Sequence, residues 1–265
     1  MERIESLFLG QTKCDFMRLP DFLALAESWL EKDKLHHVVT LNPEMVMLAE
    51  RDRKFAAAVA GADLRVPDGA GLIWARWYIR SQFWSLWPSL LAFPFVSAER
   101  VTGVELVIKL AKLCAKKNMG LGLVGGTGHQ IDKTATVLRR KFPSLKIVTA
   151  KPHRYDINGP EHVLQTIRDN RPAVLLVAYG APKQTVWLEN NRNALSGVRV
   201  AVGVGGAFAI IGEEKPRAPY IFRRLNAEWL WRLVLEPARL PRIWRATVLF
   251  PLLINKQKQK SSEAI

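Results

Sequence analysis

Short strand patterns alternate with helical patterns along most of this chain, and this alternation restricts the possible folds more than any other feature. Several of the strand patterns are almost wholly apolar, which is typical of strands covered on both faces. Such strands, separated by helices, indicate one buried parallel sheet. The predicted strands are LHHVVTL (35–41), ADLRV (62–66), LGLVGG (121–126), LKIVTA (145–150), AVLLVAY (173–179) and VRVAVGV (198–204).

Length and composition fit a folded chain with a distinct C-terminal part. The 265 residues are 49% hydrophobic, which allows a sizeable core and excludes a disordered chain. We predict an α/β fold, with a Rossmann-like parallel sheet flanked by helices over residues 1–210. A basic, Trp-rich helical appendage is expected over residues 211–255, followed by a disordered polar tail over residues 256–265.

The charge calls for an anionic partner. The formal net charge is +15 and the pI is near 10.1, which suits nucleic acid, a phosphorylated substrate or an acidic membrane face. Residues 211–265 contain eleven Lys and Arg against five Glu, together with Trp229, Trp231, Trp244 and the apolar run VLFPLLI (248–254). Basic residues beside Trp and Leu favour a membrane interface over a nucleic-acid groove.

A second apolar stretch, SQFWSLWPSLLAFPFV (81–96), carries no charge. It is shorter than the roughly 20 residues that a membrane-spanning helix needs, and Pro88 and Pro94 interrupt it. The pattern fits either a segment lying in the membrane interface or a buried core loop.

The cysteines and the N-terminus bear on the compartment. Cys14 and Cys114 are too few for a disulfide framework and fit a reducing environment. The first residues lack the pattern of a secretory signal. We therefore expect a cytoplasmic protein that associates peripherally with the inner face of the cell membrane, and the sequence leaves homo-oligomerisation open.

Three polar residues follow the first two predicted strands of the sheet. The segment 35–66 reads as a β-α-β unit, and the two strands of such a unit are parallel. Thr40, Asn42 and Asp68 should then converge at the edge where open α/β sheets bind ligands. Pro67-Asp68-Gly69 could also be a simple turn, with Asp bonded only to local backbone.

Glycine-rich turns follow two other strands. The string GLGLVG (120–125) places two of its glycines before or within the strand, which disfavours a dinucleotide fingerprint. Gly125, Gly126 and Thr127 could instead bring backbone amides to an anion at a helix N-terminus, and Gly205 could do the same. Alternatively, these glycines only permit tight turns.

Further polar candidates stand near the predicted strand ends and in the appendage. Gln184 could bind a substrate or be an exposed helix-start residue. Arg100 could pair with phosphate or be a surface charge. Arg232, Arg239 and Arg242 could form a basic face, although prolines at 237 and 241 argue against one unbroken helix.

Metal and nucleotide-triphosphate motifs are missing from the sequence. No zinc-binding spacing of His and Cys, no Asp-x-Asp pair and no Walker string occurs. We therefore predict no metal and no cofactor, so that backbone amides and Arg would have to stabilise a leaving diphosphate.

Seven blocks together resemble the WecG/TagA/CpsF family of bacterial glycosyltransferases, and they occur in the family's order over about residues 40–245. The chain departs from the family pattern in the apolar insertion at 81–96. The blocks are TLNPEMVMLA (40–49), RVPDGAG (65–71), ERVTGVEL (99–106), LGLVGGTG (121–128), VAYGAPKQTVWL (177–188), VGVGGAF (202–208) and KPRAPYIFRRLNAEWLWRLVLEPARLPR (215–242).

The resemblance implies an inverting, metal-independent transferase that moves an N-acetylmannosamine-type sugar from UDP to a polyprenyl-diphosphate-linked acceptor sugar in cell-surface polymer synthesis. It implies that Asp68 is the general base and that Thr40 is its neighbour. The substrate-binding residues that it implies are Asn42, Arg100 and Gln184. The region from Arg232 to Arg242 resembles the family's C-terminal appendage, which closes over the site at the membrane.

Two other functions remain open at this stage. A related transferase could use another UDP-hexose or a UDP-hexuronic acid, since such sugars differ by one hydroxyl or carboxylate. A nucleic-acid-binding module is the other alternative. Only the high pI favours it, and we therefore expect no nucleic-acid partner.

Overall fold

The computed structural model describes residues 4–82, 85–91, 101–151, 160–214, 216 and 218–263. Its strands form an antiparallel hairpin and a six-stranded parallel sheet. The strands are β1 (Glu5–Leu9), β2 (Thr12–Phe16), β3 (His36–Leu41), β4 (Leu64–Pro67), β5 (Gly120–Gly125), β6 (Lys146–Ala150), β7 (Val174–Ala178) and β8 (Val200–Gly203).

Helices cover both faces of the sheet and build the C-terminal part. Short 3-10 turns occur at Arg192–Ala194 and Pro237–Arg239, and a π-helical turn occurs at Arg245–Leu249. The α-helices are α1 (Leu19–Trp29), α2 (Pro43–Ala49), α3 (Arg53–Gly61), α4 (Ala70–Arg80), α5 (Leu86–Leu91), α6 (Gly103–Lys116), α7 (Gly128–Lys141), α8 (Glu161–Asn170), α9 (Lys183–Asn190), α10 (Ala207–Ile211), α11 (Tyr220–Arg224), α12 (Glu228–Leu235), α13 (Leu240–Trp244) and α14 (Phe250–Glu263).

The parallel sheet confirms the predicted fold class. Its strand order is β4-β3-β8-β7-β5-β6, and every neighbouring pair is parallel. Each strand overlaps one of the six predicted strands. Apolar side chains fill both faces, as expected for a doubly covered sheet. The order also places the end of β3 between the ends of β4 and β8, and this arrangement positions the site described below.

In the first third of the chain, one prediction needed correction and one element was not predicted. The predicted β-α-β unit over 35–66 contains two helices instead of one, because Asp52 caps α3 by accepting a hydrogen bond from the backbone N–H of Phe55 at 3.0 Å. The sequence reading also did not include the β1–β2 hairpin. That hairpin is tied to the sheet by Asp15, which accepts a hydrogen bond from the backbone N–H of Arg65 and forms an ion pair with its guanidinium.

The polar tail is folded, so the prediction of a disordered segment is wrong for residues 256–263. They complete α14, whose residue Ile254 is fully buried in the core. Gln257 joins this helix to the hairpin, since its Oε1 accepts from the N–H of Gly10 and its Nε2 donates to the carbonyl of Phe8. The polar composition suggested disorder, but two of the polar side chains, Gln257 and Lys258, bind the rest of the protein.

Lys258 also joins the tail to the rest of the protein. Its ammonium group donates to the carbonyls of Tyr78 and Ser81, at 2.6 and 2.7 Å, and lies 4.4 Å from the centre of the Tyr78 ring. Tyr78 lies in the last turn of α4 and Ser81 directly follows the helix, where a cation also interacts favourably with the helix dipole. Burial lowers the pKa of Lys258.

We expect Lys258→Met to lower the free energy of unfolding by about 1–3 kcal/mol, because it removes charged donors from buried carbonyls while keeping the apolar stem. Urea unfolding measures the change. Lys260→Met, at an exposed position of the same helix, is the matched control and should stay within about 0.5 kcal/mol of the wild type. Equal stability of the two variants would mean that the tail is not docked as described.

The structure describes only part of the apolar stretch 81–96. The described part has buried residues, as in a core segment, and an exposed Trp, as in a membrane-interface segment. In α5, Leu86 and Ser89 are buried, whereas the side chain of Trp87 is 72% exposed. Residues 83–84 and 92–96 of the stretch lie outside the described residues. None of the helices in the described part of the chain combines the length and apolar character needed to cross a membrane.

Candidate active site

A cavity of about 870 Å³ lies at the carboxyl edge of the sheet, between the strand ends and the C-terminal helices. This volume is within the range of small-molecule sites, roughly 300–1,000 Å³. The structure thus brings together predicted site residues that are far apart in the sequence. Those lining the cavity are Thr40, Asn42, Asp68, Gln184, Gly205, Arg239 and Arg242.

Asp68 lies at the rim of this cavity, directly after β4. Its backbone N–H donates to the carbonyl of Leu41, which fixes the position of the residue against the end of β3. Gly69 then has a φ of 128°, a value that residues with a side chain rarely adopt. The chain can therefore turn at once into α4, and the half-buried carboxylate of Asp68 lines the cavity. The segment Pro67-Asp68-Gly69 therefore forms a tight turn and also places Asp68 at the cavity, so the two alternatives do not exclude each other.

Thr40 and Asn42 are held by hydrogen bonds at the end of β3. The hydroxyl of Thr40 is buried and donates to the carbonyl of Gly203 in the neighbouring strand, at 2.9 Å. The hydroxyl proton is therefore used in a hydrogen bond within the protein, and the hydroxyl oxygen can still accept a hydrogen bond from a ligand. Asn42 caps α2 by accepting from the backbone N–H of Met45 at 2.9 Å.

Gln184 joins two loops of the site. Its Oε1 accepts from the backbone N–H groups of both Gly180 and Gly205, at 3.1 and 2.9 Å, and only 3% of the residue is exposed. A Cβ atom at Gly203 would lie 2.6 Å from the Nε2 of Gln184, so a side chain there would displace the amide. Gln184 was predicted either to bind a substrate or to be exposed, and its buried positioning role was not predicted.

The glycine turn after β5 does not join the cavity. Gly125, Gly126 and Thr127 are not among the described residues that line it. The N–H of Gly126 donates to the carbonyl of Ala178, and the N–H of Thr127 donates to Oε1 of Gln130 in a capping box. Protein acceptors therefore use two of the amides that the sequence suggested for an anion.

The appendage forms the wall opposite the strand ends. Arg239 pairs with Glu236, and Arg242 pairs with Glu44 at 2.6 Å, which connects the appendage to the first turn of α2. The backbone of Arg232 lies in α12. Arg100 lies outside the described residues. As expected, the prolines at 237 and 241 divide this region, with α12 ending before the first of them.

The sequence did not single out several other residues that line the cavity. Trp231 was noted only for its place in a Trp-rich segment, and the carboxylates carried no motif of their own. These residues include Glu44, Glu105, Glu228, Trp229, Trp231 and Glu236. Glu44 and Glu105 lie in the first turns of α2 and α6, and the others belong to the appendage.

Comparison with known proteins agrees with this geometry. The family model described as glycosyl transferase WecG/TagA/CpsF family matches residues 8–264. The chain belongs to this family. The glycosyltransferase class predicted from the sequence is therefore confirmed, and the match includes both the sheet and the C-terminal helices.

Relatives from Staphylococcus aureus carry a more specific name. The protein of strain NCTC 8325 / PS 47 is 28% identical over 227 residues, which cover 86% of this chain and 82% of the relative. The protein of strain MRSA252 has the same identity and coverage. Both are named N-acetylglucosaminyldiphosphoundecaprenol N-acetyl-beta-D-mannosaminyltransferase.

Within this transferase, the polar groups available at the cavity are carboxylates, amides, hydroxyls and guanidinium groups. Burial raises the pKa of the Cys114 thiol to about 12 and also raises the pKa of Cys14, so neither is a thiolate nucleophile. In the part of the chain that the structure describes, no group of three or more His, Cys, Asp or Glu could hold a metal ion. The absence of a metal from the reaction stays a prediction.

Proposed function

We propose that this protein transfers an N-acetylmannosamine-type sugar from UDP to a polyprenyl-diphosphate-linked acceptor sugar, with inversion at the anomeric carbon. The observation that carries the proposal is the position of Asp68, a carboxylate at the rim of a ligand-sized cavity whose opposite wall contributes Arg239 and Arg242. The names of the Staphylococcus aureus relatives supply the sugar and the kind of acceptor.

Asp68 acts as the general base in this proposal. A sugar hydroxyl is a poor nucleophile, and a positioned carboxylate that takes its proton contributes about 10²–10⁴ in rate. The acceptor oxygen then attacks the anomeric carbon as the bond to the UDP oxygen breaks. One displacement by one nucleophile inverts the configuration, so a second catalytic carboxylate is not needed.

The appendage arginines meet the charge that grows on the leaving diphosphate. A guanidinium group is suited to phosphate because its donors form a planar fork. In the structure both guanidinium groups have carboxylate partners, Glu236 and Glu44. We propose that the diphosphate replaces these carboxylates, which would couple substrate binding to a rearrangement of the appendage.

Peripheral association with the membrane follows from the acceptor and from the exposed surface of the appendage. Many large apolar side chains of this part are more than a third exposed, and Arg and Lys flank them. Such a surface suits the boundary between lipid headgroups and acyl chains, where Trp is enriched. The side chains are Tyr220, Ile221, Leu225, Trp229, Leu230, Val234, Leu235, Leu240, Trp244 and Leu252.

The proposal is tested by incubating the purified protein with a panel of UDP-sugars and a short-chain lipid-diphosphate N-acetylglucosamine acceptor, followed by mass analysis of the product. UDP-N-acetylmannosamine should give a product heavier by one N-acetylhexosamine. Transfer of only a hexuronic acid or another hexose would replace the proposed donor. Absence of transfer from every donor would contradict the proposed reaction.

A further inference from the structure

The indole N–H of Trp231 is a buried donor that has no acceptor in the described part of the chain. Among the residues that the structure describes, no hydrogen-bond partner lies within reach of its Nε1. Trp231 lies in α12, its ring is 5.7 Å from that of Phe222, and the residue lines the cavity. The ring is thus packed against the appendage while the residue borders the site, and Nε1 itself is covered, so a ligand would contact it after the rearrangement of the appendage proposed above.

An unsatisfied buried donor costs about 1–3 kcal/mol, and a buried Trp normally finds an acceptor for its N–H. A Phe at this position would avoid that cost. The cavity offers an explanation, since a ligand bound there could supply the missing oxygen atom. Trp187 is a useful contrast. Its Nε1 also has no acceptor among the described residues, but Trp187 is fully buried in the core and is not one of the described residues that line the cavity.

We propose that the indole N–H of Trp231 donates to a diphosphate oxygen of a bound substrate. This inference rests on the proposed function, in which both the donor and the acceptor carry a diphosphate. Trp231, in α12, and Arg239, in the following 3-10 turn, both line the cavity, so the indole and a guanidinium group belong to the same wall. An N–H beside a cation suits an anionic oxygen better than an apolar group.

The test compares Trp231→Phe with Trp187→Phe and the wild type. Phe keeps an aromatic ring and removes the donor. Isothermal titration is performed with UDP in one arm and with a short-chain prenyl-diphosphate N-acetylglucosamine in the other, and thermal unfolding is recorded without ligand. The transfer assay with UDP-N-acetylmannosamine accompanies each variant.

We expect Trp231→Phe to weaken binding roughly ten- to hundredfold in one arm, as for the loss of a hydrogen bond to a charged group, without a lower melting temperature. Trp187→Phe should change the melting temperature and leave binding unchanged. The arm that weakens identifies the diphosphate as that of the nucleotide or that of the lipid.

Two results would overturn the inference while leaving the proposed function intact. If Trp231→Phe bound both ligands with wild-type affinity, the indole N–H would not contact either diphosphate. Loss of binding in proportion to loss of stability would make Trp231 a structural residue only. If the wild-type protein neither binds UDP nor transfers sugar, the proposed function fails and the inference fails with it.

Discussion

Asp68→Asn is expected to lower the rate of sugar transfer by about 10²–10⁴-fold and to leave UDP binding within a few fold of the wild type. Asn has nearly the same shape as Asp but cannot accept the proton of the acceptor hydroxyl. The fold should be unaffected, because the hydrogen bond that holds this residue to Leu41 comes from its backbone N–H. Single-turnover transfer and titration with UDP measure the two quantities.

Asp132→Asn is the matched control for this substitution. Asp132 lies on α7, its side chain is 54% exposed, and it pairs with Lys151 on the surface. The substitution Asp132→Asn makes the same chemical change away from the cavity and should leave the rate of sugar transfer unchanged. If Asp68→Asn turned over at the wild-type rate, Asp68 would not be the base.

A second large effect is expected when the exposed apolar face of the appendage is made acidic. Val234 and Leu240 are 67% and 57% exposed. If they enter the membrane interface, the paired substitution Val234→Glu and Leu240→Glu should weaken binding to anionic liposomes roughly a hundredfold or more, since each apolar side chain contributes about 1.5–3 kcal/mol on burial. Co-sedimentation with vesicles measures this loss.

The effect of the paired substitution on sugar transfer should depend on the acceptor used. The variant should lose activity toward an acceptor embedded in vesicles and keep it toward a water-soluble short-chain acceptor, because neither residue bears on the chemistry. Thr136→Glu with Gln165→Glu adds the same charge on α7 and α8 at exposed positions and is the control. Equal loss for both acceptors, or undiminished vesicle binding, would contradict a membrane role for this face.

These substitutions are more informative than deletion of the appendage. Phe250 and Ile254 follow the exposed part of the appendage and are buried in the core beside residues of α4. A chain cut after residue 210 would lose this packing and could fail to fold. Loss of activity in such a truncated protein would then not distinguish membrane binding from stability.

The parallel sheet and one edge of the site were predictable from local patterns. Strands buried on both faces leave apolar runs that stand out from helical patterns, and both strands of a β-α-β unit end at the same edge. The convergence of Thr40, Asn42 and Asp68 follows from that rule, and the cavity confirms it. The family resemblance extended this prediction to Arg239 and Arg242.

The remaining features depend on contacts between distant segments, which a local pattern does not contain. Gln257 looks like a residue of a polar tail until Gly10 and Phe8 become its partners. Gln184 joins two loops that approach each other only because β7 and β8 are neighbours in the sheet. The glycine turn at Gly126 looked like an anion site because its amides could not be assigned to protein acceptors in advance.

Photochemical cross-linking with a photoreactive UDP analogue tests the central claim most directly, because it locates the nucleotide on the chain. After digestion and mass analysis, labelled peptides should come from the cavity wall, in residues 40–45, 68–74, 204–210 or 226–247, and excess UDP should suppress the label. Labelling confined to the opposite edge of the sheet, in residues 32–36 or 195–199, would contradict a transfer site at the carboxyl edge.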